Sequence, residues 1–159
     1  MADFTDIVTE FNTIATAQSG INSFKYGNVF ELNESRTLSK PLLLLQKQRT
    51  LQYAAFEKKL KTYEVVFGIY DTYKEAQKSS KVYADKQKDL ENLMEQFLRE
   101  FRKRSLGSTT QVTSVQSWIM DEPVRMELIE VVGADKLSGI EATITIRVFS
   151  DCDEGTFSY

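Results

Sequence analysis

The 159-residue chain contains no histidine and only one cysteine. Histidine is the usual general base near neutral pH and the commonest metal ligand, so its absence argues against a hydrolase or a zinc site. The lone thiol, Cys152, cannot form a disulfide within the chain, which fits a reducing compartment or a fold that needs no cross-link. The seven glycines are scattered, and none of them forms a phosphate-binding loop.

Long apolar runs are also missing. No stretch approaches the roughly 18 apolar residues of a membrane span, and the chain does not open with the basic-then-apolar pattern of a signal peptide. We therefore predict neither feature. Hydrophobic residues make up 42% and charged residues 27% of the chain, which indicates a folded domain. The length suits a single domain over residues 1–159.

Charge is distributed unevenly, although the net charge is only −3. Residues 74–104 contain nine basic and six acidic side chains, whereas residues 121–159 contain three basic and nine acidic ones. These two segments can pair within one subunit, meet between head-to-tail neighbours, or form separate solvated faces. An acidic pI of about 5.2 argues against strong DNA binding.

Hydrophobic periodicity predicts two helices. Apolar residues recur at helical spacing over Phe4–Gln18, and Gly20 is a plausible stop for this helix. The same spacing over Ser80–Arg104 predicts the longest element of the chain. The basic run Arg102–Arg104 suits the negative end of that helix dipole, and contact with nucleic acid is the alternative for it.

Six further stretches have the alternation or composition of β-strands: Ser23–Leu32, Leu42–Leu45, Thr62–Asp71, Gln111–Met120, Val124–Val132 and Ile140–Phe149. The loop Gly133–Gly139 joins the last two. Gln46–Lys61 has no clear period, and we expect an extended arm or hairpin there. Trp118 is expected to anchor the core, with an interface role as the alternative. The order of elements predicts an α+β domain, with a mainly antiparallel sheet flanked by an N-terminal helix and one long helix.

Two acidic clusters are candidates for chemistry. Asp151–Gly155 (DCDEG) resembles a cation loop, but a calcium site needs about six or more oxygens and only four residues follow Gly155. The acids around Cys152 disfavour its thiolate. Asp121–Pro123 is typical of a solvated turn, and nothing nearby in sequence supplies a nucleophile or base. We therefore expect no enzyme activity and no catalytic, cofactor-binding or metal site.

Six segments in a fixed order give the chain a family resemblance: FTDIVTEFNTIA, SFKYGNVFEL, PLLLL at Pro41–Leu45, TYEVVFGIYD, DLENLMEQFLREF and KLSGIEATITIRVFSDC. This order resembles the small neck and tail-terminator (tail-completion) proteins of tailed bacteriophages. The last segment is a Leu-x-Gly turn into an alternating strand that stops at a cysteine. It is similar to neck proteins from phages of Bacteroidetes hosts, including the crAss-like group.

The resemblance implies a structural virion protein that forms a ring at the portal–tail junction, as a neck protein or tail terminator. Such a ring joins head to tail around the DNA channel. The implied partners are further copies of the chain in a sixfold or twelvefold ring, and neighbouring portal, neck or tail proteins. DNA would be near the ring without specific contacts. No cofactor and no membrane are implied, and assembly would take place in the host cytoplasm.

Two polar segments of low regularity are the expected subunit contacts, namely the arm Gln46–Lys61 and the acidic terminus Asp151–Tyr159. The candidate interface residues are Gln48, Arg49, Tyr53, Phe56, Lys58, Asp151, Asp153, Glu154, Phe157 and Tyr159. Deleting Cys152–Tyr159 should leave a folded monomer that no longer forms rings. Electron microscopy of the truncated protein checks this, and an intact ring would contradict it.

A second hypothesis is a monomeric α+β binding module that captures a peptide or small ligand on its sheet. An apolar pocket on a monomer in solution would favour this hypothesis, whereas a ring would favour the first.

Overall fold

The structure is a computed structural model that describes residues 4–28, 31, 38–55, 60–73, 81–105, 118–131 and 137–149. These residues form two helices and six strands. In chain order they are α1 (Phe4–Ala17), β1 (Ser23–Gly27), β2 (Leu42–Ala55), β3 (Leu60–Thr72), α2 (Lys81–Lys103), β4 (Trp118–Met120), β5 (Arg125–Val131) and β6 (Leu137–Phe149).

The six strands form one mixed sheet. Its order is β1-β2-β3-β6-β4, and β5 also pairs with β6. β3 pairs with β6 along the whole length of β6, so β4 and β5 follow one another along the other edge of β6. β1 is parallel to β2, and all the other pairs are antiparallel. The predicted α+β fold with a mainly antiparallel sheet is confirmed.

β2 and β3 form a long antiparallel hairpin. Its register runs from Leu42 opposite Tyr70 to Ala55 opposite Leu60, with irregularities between Leu45 and Arg49 and between Tyr53 and Ala55. Residues 46–55 and 60–61 of the stretch predicted as an extended arm or hairpin belong to these two strands, and residues 56–59 lie outside the described residues. The predicted strand Leu42–Leu45 is too short, because pairing with β3 continues it as far as Ala55.

Both helices pack on one face of the sheet, called here the helix face; the opposite side is the outer face. Alternate residues of β3, such as Val65 and Phe67, are buried beneath the helices. Phe11 of α1 is fully buried, and its ring centroid lies 4.9 Å from that of Phe67 and 5.0 Å and 4.8 Å from those of Phe97 and Phe101 in α2. This aromatic cluster joins both helices to the centre of the sheet.

The short strand β4 contributes to the same core through Trp118. The indole is buried and stacks on Phe101, with ring centroids 4.2 Å apart. The prediction that Trp118 anchors the core is confirmed. Residues 111–117 of the predicted strand lie outside the described residues.

The two helices end close to the predicted positions. α1 stops at Ala17, and Gly20 follows in the left-handed region with φ of 98°, which glycine adopts at little cost. After α2, the guanidinium of Arg104 donates hydrogen bonds to Glu10 (2.6 Å) and Glu100 (3.1 Å). Burial alone would lower the pKa of Arg104, but these bonds raise it. α1 and the end of α2 are therefore held together by charge as well as by packing.

Several predicted strand bounds are wrong. β1 ends at Gly27 rather than Leu32, and β6 begins at Leu137 rather than Ile140. β3 is Leu60–Thr72 rather than Thr62–Asp71, and β5 begins at Arg125 rather than Val124. In β6, the early start places Ser138 and Gly139, which the sequence assigns to a loop, inside the sheet opposite β3.

Candidate functional site

Besides the short outer strands β1 and β4, two longer stretches of the described sheet have a described strand on one side only. β1 pairs with β2 only over Leu42–Gln46, so residues Lys47–Ala55, called here the β2 edge, have β3 alone beside them among the described strands. The seven residues Arg125–Val131, called here the β5 edge, pair in the same way only with β6. Rows of backbone N–H and C=O groups at such edges are templates for another strand.

Three of the predicted interface residues lie on the β2 edge. Gln48, Arg49 and Tyr53 are exposed there, and the structure brings them together on one strand. The other seven lie outside the described residues: Phe56, Lys58, Asp151, Asp153, Glu154, Phe157 and Tyr159.

Arg49 links the β2 edge to α1. Its guanidinium carbon lies 3.7 Å from the centre of the Phe4 ring and 5.8 Å from that of Tyr63. Its Nη1 also donates a hydrogen bond to the hydroxyl of Tyr26 at 3.0 Å. Cation–π contacts of this kind contribute about 0.5–1 kcal/mol at exposed sites. Arg49 thus holds the first part of the β2 edge against α1.

Exposed apolar side chains concentrate at the two edges. Leu51 and Tyr53 on the β2 edge are 46% and 39% exposed, and Met126 and Leu128 on the β5 edge are 47% and 40% exposed. Among the described residues Val82 is the only other large apolar side chain exposed to this degree. An apolar surface concentrated on open strands indicates a place where something else binds.

Sequence reasoning missed Met126 and Leu128. It predicts their strand, but apolar and charged residues mix on both faces of VRMELIEVV, so the pattern does not show which face is covered. The exposure depends on the path of α2, which leaves a groove between itself and β5.

This groove has an apolar floor and an acidic wall. Met126, Leu128 and the buried Ile140 line it from the sheet, and Glu91 and Glu95 line it from α2, around an open volume of about 320 Å³. The neighbouring Glu127 also lines it. Arg99 donates a 2.7 Å hydrogen bond to Glu95 and offsets part of the negative charge. The groove suits an apolar side chain accompanied by a basic one.

The basic run at the end of α2 is engaged within the subunit. Arg102 forms an ion pair with Glu122 at 2.8 Å, and Lys103 lies 3.8 Å from Glu100. Asp121, the other acid before Pro123, pairs with Arg147 at 2.7 Å. Arg102 and Glu122 therefore join the basic and acidic segments inside one subunit.

The described part of the chain contains no group of three or more Asp, Glu, His or Cys residues that could hold a metal ion. Within the same residues, no helix is long and apolar enough to cross a membrane. The chain matches no protein-family model, and a search of curated proteins finds no significant match. Inferences about function therefore depend on the chain's own residues.

Proposed function

We propose that the chain is a structural virion protein that forms a closed ring at the portal–tail junction of a tailed bacteriophage, as a neck protein or tail terminator. The supporting observation is the pair of open edges, which lie on opposite sides of one sheet and differ in sequence. Two different surfaces that fit one another associate head to tail, and head-to-tail contacts close into rings when the rotation between subunits permits.

The directions of the strands support this proposal. Neighbours alternate in direction along β2, β3, β6 and β5, so β2 and β5 run in opposite directions at the two edges. When the β5 edge of one subunit meets the β2 edge of the next, the new pair is antiparallel and the alternation continues. Such a sheet keeps the helices of all subunits on the same side, as a ring of identical subunits requires.

The proposed partners are further copies of the chain and the neighbouring portal, neck or tail proteins. A wall built from a sheet with two helices packed on it is rigid, because the aromatic cluster around Phe11 joins the layers. The ion pairs of Arg102 and Arg104 give these residues a role that needs no DNA. We therefore expect DNA to pass near the ring without specific contacts.

Electron cryomicroscopy of virions of the phage that encodes the chain tests this function. We expect a closed ring of six or twelve copies at the head–tail junction, with density that fits the two-helix, six-stranded fold. Mass spectrometry of the purified virions is the control for the presence of the chain. Absence of the chain from virions, or its presence outside any ring, would contradict the proposal.

The groove beside β5 favours a second candidate function, a monomeric module that binds a peptide with apolar and basic residues. This function requires a stable monomer that binds such peptides at Met126 and Leu128. Sedimentation of the purified chain at micromolar concentration, with and without a Leu-Lys-rich peptide, tests it. Peptide binding by a monomer that is absent from virions would favour this candidate over the ring.

A further inference from the structure

We infer that the β2 edge of one subunit adds as an antiparallel strand to the β5 edge of the next. The register places Leu51 opposite Leu128, and Tyr53 opposite Met126. The occupant of the groove beside β5 is therefore a second copy of this chain. This inference rests on the proposed ring and names the contact that would build it.

The lengths of the two edges support this register. With Leu51 opposite Leu128, the seven residues of the β5 edge lie opposite residues 48–54. That stretch begins just beyond Gln46, the last residue of β2 that β1 covers. The β5 edge thus fits the β2 edge without displacing a described strand.

The side chains that this register pairs also lie on the same face of the sheet. Leu51 lies opposite the buried Tyr63 within the hairpin, and Leu128 lies opposite the buried Ile140, so both side chains are on the helix face. Residues directly opposite one another in a sheet have their side chains on the same face. The proposed pairing therefore gathers the exposed apolar side chains of both edges on one side.

Other registers lose this match. A shift of one residue turns one partner's apolar side chains to the opposite face. A shift of two residues places Leu51 opposite either Met126 or Glu130, and each alternative leaves one apolar side chain without an apolar partner. The Leu51–Leu128 register is the one that pairs all four exposed apolar side chains of the two edges with one another.

Charge favours the second copy's β2 edge as the occupant. Residues 46–61 contain five basic side chains and one acidic one, a net charge of +4. The register brings Arg49 opposite Glu130. Two β2 edges paired with one another would instead bring like charges together, which is unfavourable.

Engineered disulfides in virions test this register. The chain would contain Leu51→Cys and Leu128→Cys in a Cys152→Ser background. Opposite residues of antiparallel strands have Cα atoms about 4.5–5.5 Å apart, which is within the range of a disulfide. After mild oxidation we expect a ladder of multiples of the 18.2 kDa chain on a non-reducing gel, and reduction should collapse it. Tyr53→Cys with Met126→Cys tests the same register independently.

Matched controls define the outcomes. Leu51→Cys combined with Thr13→Cys, an exposed position on α1, should give no ladder. A dimer formed by Leu51→Cys alone would show pairing between two β2 edges and overturn the inference. Rings seen by electron cryomicroscopy in virions that give no ladder with either cysteine pair would also overturn it, while leaving the ring function intact. Virions with no ring of this chain would overturn the ring function itself.

Discussion

Tyr70 lies across two glycines on the outer face of the sheet. A Cβ atom added to Gly68 would come within 2.6 Å of the Tyr70 hydroxyl oxygen, and one added to Gly139 would overlap the ring even more closely. Both glycines therefore permit the close approach of an aromatic ring. Sequence reasoning assigns Gly139 to a loop because glycine is common in turns, whereas here it makes room for a side chain of the neighbouring strand.

The environment of Tyr70 predicts a loss of stability at alkaline pH. Burial raises the pKa of Tyr70 well above its usual value, and the hydrogen bond that its hydroxyl donates to Glu141 adds to this. The unfolded chain loses this proton above about pH 10, while the folded protein keeps it. The stabilising contribution of Tyr70 is thus fully present below about pH 10 and is lost as the pH rises further.

We therefore expect the free energy of unfolding to fall more steeply above about pH 10 for the natural chain than for Tyr70→Phe. The difference in slope should approach about 1.4 kcal/mol per pH unit, the value for one proton. Urea unfolding of both proteins between pH 8 and pH 11 measures it. Tyr83 is common to both proteins, so its own titration cancels. Parallel curves would contradict the assignment.

At the scale of elements, the β2 edge is the part of a strand that hydrophobic periodicity does not predict. Leu42–Leu45 is apolar throughout because the strand is covered on both faces there. From Lys47 to Tyr53 the side chains are exposed on both faces, so no hydrophobic period marks this part of the strand. The two helices, by contrast, were predictable to within one or two residues, because each buries one continuous apolar stripe.

The candidate site was also predictable only in part, because hydrophobic periodicity does not mark exposed edge strands. The low regularity of Gln46–Lys61 points to the β2 edge, where Gln48, Arg49 and Tyr53 are found. Nothing in the sequence places α2 so that Met126 and Leu128 remain uncovered, because that depends on packing between distant elements. One edge of the proposed contact thus has a signal in the sequence and the other does not.

Phe11 is the residue through which α1 is held in the core. Phe11→Ala removes a fully buried ring that contacts Phe67, Phe97 and Phe101, and we expect it to lower the free energy of unfolding by about 3–5 kcal/mol. Leu51→Ala is the matched control, and its exposure predicts a change within about 0.5 kcal/mol. Chemical denaturation measures both. A loss at Leu51 as large as that at Phe11 would contradict its exposure.

At the scale of the whole molecule, opposite charges lie at opposite sides of the sheet. Ion pairs such as Arg102 with Glu122 and Arg147 with Asp121 offset charge within the subunit. In the sequence, residues 46–61 have a net charge of +4, and Glu91, Glu95 and Glu127 line the groove beside β5. The basic partner expected for this acidic side is therefore the hairpin of a neighbour rather than α2 of the same subunit. Like edges repel and unlike edges attract, which favours head-to-tail growth.

Two variants that fail separately and succeed together would distinguish head-to-tail contacts from two-fold contacts. Leu51→Lys disrupts the contact surface of the β2 edge, and Leu128→Asp disrupts that of the β5 edge. Each places a charge among apolar side chains, and we expect it to weaken every contact by at least about 1.4 kcal/mol, a factor of about ten. Expressed alone in cells infected with phage lacking the gene, neither variant should restore tailed particles.

Coexpression of both variants should restore tailed particles. The intact β5 edge of the Leu51→Lys chain meets the intact β2 edge of the Leu128→Asp chain, and at every second contact the introduced lysine faces the introduced aspartate. Rings of alternating subunits then close for any even number of copies, six and twelve included. The measurement is the titre of infectious particles, with the natural chain as the positive control. A two-fold contact between β2 edges makes the opposite prediction, because Leu128→Asp would then restore particles on its own.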